Sequence, residues 1–259
     1  ICNTFSEFIN SAGYQVRFLD VNEDMTLDIN KVENIFKSED IKAMVFVYFF
    51  GFPFDIKPLL TLCQKYGIKM VEDCSHGFQT KIDNKYIGTF GDMAIYSFRK
   101  VLPISDGGAL RLNKSLGKEV ITSNKFSIRN DFIYFISRVI ESLVRNFLQI
   151  NIYSNSFILI KNKIIKNFPK NKSKNYYQSC DPQKYFSCLL NIFLHNKNYL
   201  LESLKTRKEN FNYLKKEVES IGLKPYIKFI SEETSPQFFI IEDCYGGLSD
   251  WLKTNGIGA

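Results

Sequence analysis

The 259-residue sequence is poor in the residues that build metal centres and disulfide frameworks. It holds two histidines, His76 and His195, and six scattered cysteines (Cys2, Cys63, Cys74, Cys180, Cys188 and Cys244) with no C-x-x-C pair. A histidine-rich metal centre or a zinc ribbon is therefore not expected, and the thiols fit a reducing cytosol better than a cross-linked scaffold. No G-x-G-x-x-G follows a strand-like run, which argues against a Rossmann dehydrogenase. Long uninterrupted apolar runs are lacking too. The most apolar stretch, 131–165, is broken by Arg138, Glu141, Arg145 and Lys161, so no stable membrane insertion is expected. Acidic residues are missing from 161–174, where Lys161, Lys163, Lys166, Lys170, Lys172 and Lys174 concentrate much of the formal charge of +7. Such a block reads as a solvated linker in preference to a nucleic-acid or anionic-lipid contact. The chain has no internal repeat and no initiating Met. A start at Ile1 on the approach to a helix is read as lost upstream sequence, hence a fragment.

What is present is a globular composition: 45% hydrophobic and 15% aromatic residues, enough to fill one large core or two smaller ones. Thr4 to Ala12 reads as a helix closed by Gly13, Gln15 to Val21 as a strand, and Asp28 to Phe36 as a helix. Ala43 to Phe50 is a continuous apolar run of strand length, broken by Gly51-Phe52-Pro53. A helix from Asp55 to Tyr66 is closed by Gly67, and Lys69 to Val71 is a further buried strand. Asp83-Asn84 signals a hairpin, Gly88 to Gly91 a turn, Met93 to Phe98 a strand, and Gly107-Gly108 a tight turn into the strand Ala109 to Leu112. Strand, helix and strand in alternation predict a mainly parallel α/β sheet, whose ligands bind beyond the carboxyl ends of the strands.

Beyond Lys114 the pattern turns helical. Phe132, Phe135, Ile136, Val139, Ile140, Leu143 and Val144 form one apolar stripe, expected to face the core or a partner. Asp181-Pro182 opens a helical region to about Ser220, with Gly222 as its stop. Gln237 to Glu242 reads as a strand and Leu248 to Thr254 as a helix closed by Gly256. Residues 1–195 are expected to form a large domain, with a divergent helical segment at about 114–180, and residues 196–259 the start of a small α+β domain.

The chemistry gathers between Met70 and Gly108. Lys100 follows a strand end and precedes Val101-Leu102-Pro103-Ile104, a segment that could desolvate its amine as a Schiff-base nucleophile requires. Asp73, just past a buried strand, is either a capping carboxylate or a counter-charge for a protonated pyridine nitrogen. His76 is either a structural loop histidine or a donor to a cofactor oxygen, and Ser97 either ends its strand or binds a phosphate.

Together these segments resemble the DegT/DnrJ/EryC1/StrS family of sugar aminotransferases, pyridoxal phosphate enzymes of fold type I. The resemblance rests on VFVYFFGFP (Val45 to Pro53), IKMVED (Ile68 to Asp73) with His76, GTFGDMAIYSF (Gly88 to Phe98), and Lys100 with Asp106-Gly107-Gly108. Gly13 to Val21, RKENFNYL (Arg207 to Leu214) and GIGA (Gly256 to Ala259) match more weakly. The resemblance implies that Lys100 holds pyridoxal 5'-phosphate and moves the proton, that Asp73 pairs with the pyridine nitrogen, and that His76 meets the phenolate oxygen. Ser97 is the implied phosphate contact. It further implies transfer of an amino group, usually from glutamate, to a nucleotide-linked keto sugar in a cytoplasmic homodimer serving amino-sugar and surface-polysaccharide biosynthesis, with no nucleic acid involved. A sugar dehydratase using pyridoxamine phosphate is the nearest alternative, although that branch replaces the lysine by histidine. A non-catalytic scaffold or regulator is the other. Three features depart from the family: its phosphate loop falls upstream of Ile1, Ser97 stands only three positions before Lys100, and no asparagine-and-arginine segment is found between Asn113 and Cys180.

Overall fold

The structure, a computed structural model, describes residues 3–113, 125–126, 128–143, 185–187, 189–243 and 246–254. Helix α1 (Asn3–Ser11) is followed by α2 (Ile29–Ser38), which starts where Asp28 Oδ1 accepts from Asn30 N and Lys31 N at 3.0 and 3.2 Å. That cap satisfies two amides left over at the helix start. Strand β1 (Ala43–Val47) leads into α3 (Lys57–Tyr66) and then β2 (Lys69–Asp73). Gly67, at φ 68°, closes α3 in the left-handed conformation that suits glycine. The hairpin β3 (Lys81–Ile82) and β4 (Lys85–Tyr86) turns at Asp83 and Asn84, both at positive φ (51° and 64°), as a two-residue connection needs. Strands β5 (Met93–Ser97) and β6 (Gly108–Leu112) complete a four-stranded sheet in the order β1-β2-β5-β6. The first three strands run parallel and β6 pairs antiparallel to β5. The expected α/β architecture with a mainly parallel sheet is therefore present.

One core cluster joins α2 (Val32, Phe36), α3 (Leu59, Leu62) and the sheet (Phe46, Met70, Ala94). Within it lies Glu72, fully buried and at the same face as Met70. Its carboxylate accepts from Tyr48 Oη (2.9 Å), Gly88 N (2.7 Å), Phe90 N (2.8 Å) and Gly91 N (2.7 Å). A buried carboxylate is tolerated only with such partners, and here it ties the 88–91 turn to β2.

The remaining elements are β7 (Lys125–Phe126), pairing parallel with β8 (Tyr185–Phe186), then α4 (Ile128–Leu143), α5 (Leu190–His195), α6 (Lys197–Ser220) and α7 (Leu248–Thr254). Asn196 Oδ1 caps α6 by accepting from Tyr199 N at 3.0 Å. A second core cluster packs Leu190, Phe193 and Tyr199 from this region against Phe98, Val101, Leu102 and Ile104. Among the described residues no helix is long and apolar enough to cross a membrane.

Several expectations are corrected. Gln15 to Val21 forms no strand: the segment is largely exposed, with Leu19 packed on the core, and pairs with no strand among the described residues. Gln237 to Glu242 is extended but makes only a single bridge, Pro225 to Ile241, because a proline partner has no N–H to extend a ladder. The apolar run from Ala43 stops as a strand at Val47, where Phe50 (φ 58°) and Gly51 (φ 88°) turn the chain. Helix α3 begins two residues after Asp55, whose Oδ1 accepts from Lys57 N at 3.0 Å. The apolar stripe of α4 does not enter the core. Of its residues Phe132, Phe135, Val139 and Leu143 are exposed and Ile136 and Ile140 half-buried, which contradicts the core reading and leaves the partner-facing one standing, while Asp131 and Ser137 are buried and Asp131 accepts from Ser105 Oγ at 2.5 Å. Val144, the lysine run at 161–174, the Asp181-Pro182 helix start and Gly256 to Ala259 lie outside the described residues, as does most of the divergent 114–180 segment.

Candidate functional site

Asp73 and Ser97 are the last residues of the parallel strands β2 and β5, so both stand at the carboxyl edge of the sheet where α/β proteins bind ligands. Asp73 is fixed there from two sides: its carbonyl accepts from Tyr48 N at 3.1 Å, and its Oδ1 accepts from Ser75 N at 3.0 Å. That second bond starts the bend that carries the chain to His76. From Ser97 the chain enters a 3-10 turn, Phe98–Lys100, that projects Lys100 over the same edge. Ser97 does not cap this turn with its side chain.

The structure brings Lys100 and His76 together. Lys100 Nζ lies 3.0 Å from His76 Nε2. With Lys100 as the donor of this contact, Nε2 accepts, an assignment that puts the ring proton on Nδ1. Burial first, and then the positive charge of Lys100, hold the His76 pKa below the ordinary histidine value, while Asp73 acts in the opposite sense. His76 Nδ1 is buried without a hydrogen-bond partner among the described residues. A buried N–H with nothing to donate to marks a place where an acceptor is missing. The ring is walled by Phe50, stacked at 6.3 Å between centroids, and by the edge of Phe238 at 5.3 Å.

One expectation fails here. Val101, Leu102 and Ile104 do not bury the Lys100 amine; they turn inward to the second core cluster, and Lys100 itself is exposed. Apolar neighbours in sequence desolvate a side chain only when the backbone points both the same way, and the 3-10 turn sends them apart. Four other residues of the site escaped sequence reading: Phe50, Arg207, Gln237 and Phe238. Gln237 Nε2 donates to the Lys100 carbonyl, and Arg207 Nη2 to the Val101 carbonyl at 2.6 Å. Arg207 lies 106 residues from its acceptor, and no local pattern signals so distant a partner. Glu72 escaped as well, because the buried strand reads from sequence as ending at Val71; the Gly-x-x-Gly turn at 88–91 is the one signal that backbone donors stood ready for a buried carboxylate. A separate surface cleft of about 320 Å³, lined by Pro53, Lys57, Lys81, Asp83 and Glu233 among others, includes none of the four site residues.

The sequence pattern of the DegT/DnrJ/EryC1/StrS aminotransferase family matches residues 3–130. Over that span the chain is similar to this family. The UDP-4-amino-4,6-dideoxy-N-acetyl-beta-L-altrosamine transaminase of Campylobacter jejuni is 33% identical over 129 residues, covering 47% of this chain and 34% of its own. The GDP-perosamine synthase of Escherichia coli O157:H7 is 30% identical over 94 residues, 36% of this chain and 26% of its own. The Helicobacter pylori aminotransferase involved in the biosynthesis of pseudoaminic acid shares the fold, with a TM-score of 0.57 at 16% identity over 96% of this chain and 59% of that one. A family aminotransferase from Brucella abortus superposes with a TM-score of 0.56, again at 16% identity, over 100% of this chain and 61% of that one. This chain thus spans 34% and 26% of the length of the two curated relatives named.

Proposed function

We propose that the protein to which this chain belongs is a pyridoxal phosphate-dependent aminotransferase of that family, which moves an amino group, from glutamate, onto a keto carbon of a nucleotide-linked sugar. The observation that carries the reading is the 3.0 Å approach of Lys100 Nζ to His76 Nε2 at the strand edge that also bears Asp73. A primary amine, a neutral imidazole with an unsatisfied buried N–H, and a fixed carboxylate are the donor set the ring of pyridoxal phosphate requires, so the residues present fit the group. Lys100 Nζ is the group that would hold it and that takes and returns the substrate proton. The Asp73 carboxylate stands as partner to a protonated pyridine nitrogen, His76 Nδ1–H as donor to the phenolate oxygen, and the Ser97 hydroxyl as a phosphate contact. When bound, pyridoxal phosphate supplies an electron-withdrawing ring that makes amino exchange between two substrates accessible.

Nucleotide-sugar transaminases among the relatives support the substrate class. We place the enzyme in the cytoplasm, as a homodimer, with residues 1–195 in the cofactor-holding large domain and residues 196–259 opening the small one. Lysine at position 100 weighs against the dehydratase branch. The test is direct. Protein incubated with pyridoxal phosphate is expected to absorb in the visible, and borohydride to fix the cofactor on Lys100, located by peptide mass spectrometry. Lys100→Ala should abolish the adduct; the same reducible adduct persisting in that variant would overturn the assignment.

A further inference from the structure

Gln237 touches three segments of the site at once. Its backbone N donates to the Phe50 carbonyl at 2.8 Å, its Nε2 donates to the Lys100 carbonyl, and its Oε1 accepts from Arg207 Nη1 at 2.7 Å. Arg207 closes the circuit by donating from Nη2 to the Val101 carbonyl at 2.6 Å. The carbonyls of Lys100 and Val101 stand at the end of the 3-10 turn, where a helical chain leaves acceptors without internal partners. The pair therefore caps the turn that presents Lys100. The same segment also bounds His76, because Phe50, held through its carbonyl, stacks on the imidazole and Phe238 meets it edge-on. Arg207 is half-buried and its partners here, an amide oxygen and a carbonyl, are neutral. Removing a guanidinium from water without a counter-charge is unfavourable, and what the molecule gains in exchange is a fixed backbone at position 100.

We propose that Arg207 and Gln237 are positioning residues that hold the lysine turn against His76, so that the small-domain side of the chain sets the geometry of the reactive amine. The proposal rests on the reading of Lys100 as the cofactor lysine, and its test separates the two. Placement errors of about 1 Å at a reactive group cost roughly a hundredfold in rate, so a loosened turn should be visible in chemistry as well as in structure.

The readout is the titration of His76 in the full chain without cofactor, followed by NMR. With only two histidines in the sequence, a His195→Gln background leaves a single ring to follow. The charged groups acting on that ring are Lys100 and Asp73. In Gln237→Leu, which keeps the bulk of the side chain but neither donates nor accepts, Lys100 is expected to leave the imidazole and the His76 midpoint to rise above its wild-type position. Borohydride trapping at Lys100 should slow by about tenfold or more in the same variant. If Gln237→Leu unfolds, Arg207→Lys retains the charge but offers one nitrogen where two are used, and the midpoint should rise in the same sense. A folded variant of either kind whose His76 midpoint stays at the wild-type value overturns the proposal. Failure of wild-type protein to form any adduct would instead sink the cofactor reading, while the His76 shift still decides the positioning role.

Discussion

The sheet around β2 and the helix α4 use apolar residues in opposite ways. At β2, Met70 faces the core and even the carboxylate beside it, Glu72, is buried with four donors. On α4 the polar residues Asp131 and Ser137 turn inward, and Phe132 and Phe135 are 55% and 61% exposed. Both segments carry clear apolar periodicity, yet periodicity reports only that a face exists, not what covers it. The contrast teaches that a stripe becomes core only when a neighbouring element arrives on that side, whereas a buried polar group is informative because it cannot be placed without its partners.

The sharpest way to break the contrast is Glu72→Ala. It strands Tyr48 Oη and three backbone N–H groups in the core, and an expected loss of about 3–5 kcal/mol should be read by denaturant unfolding. A loss under about 1 kcal/mol would mean that the 88–91 turn is not held by this carboxylate. Gly51→Ala follows in size. A Cβ there would stand 2.3 Å from the Ser235 carbonyl oxygen on a backbone at φ +88°, so about 1–3 kcal/mol of destabilisation is expected, with loosening of the 235–238 segment beside His76. Near-normal stability would show that this segment gives way freely.

A smaller effect is expected in pH dependence. The folded His76 pKa lies below its ordinary value of 6.5, chiefly through burial and then through Lys100. The unfolded chain thus binds more protons on falling pH, and this contribution to stability is present above pH 6.5 and lost as pH drops toward the depressed folded value. Lys100→Met removes the nearby charge and leaves the burial, so the His76 midpoint should move up toward 6.5 and the acid-side loss, still beginning near pH 6.5, become smaller and end at a higher pH. An unchanged NMR midpoint would place Lys100 away from the ring in solution. The smallest effect belongs to α4: Phe135→Ser should change stability by no more than about 0.5 kcal/mol if the face is open. A loss of several kcal/mol would reveal that something covers it.

Much of the parallel-sheet frame was legible because its signals are local. Gly13, Gly67 and the Asp83-Asn84 pair mark ends and turns by their own backbone preferences, and β2 and β5 read as short apolar runs. The misreadings share one cause. Gln15 to Val21 and Gln237 to Glu242 have strand-like composition, but a strand exists only through a partner, and no sequence pattern supplies one. The exposure of Lys100 escaped for a related reason, since the 3-10 turn that separates it from Val101 and Leu102 is fixed by contacts with α5 and α6, about a hundred residues away.

Returning to the site, the sequence by itself determined its chemical inventory: an amine at Lys100, a carboxylate at Asp73, an imidazole at His76 and a hydroxyl at Ser97, each next to a strand end. It also determined the alternation of elements that puts strand ends on one edge. Only the tertiary structure decided that the amine meets the imidazole at 3.0 Å, that His76 Nδ1 finds no hydrogen-bond partner among the described residues, and that Arg207 and Gln237 donate to the Val101 and Lys100 carbonyls. Those facts depend on hydrogen bonds that join residues 106 and 137 positions apart, and such closures follow from how the whole chain packs, not from any local preference.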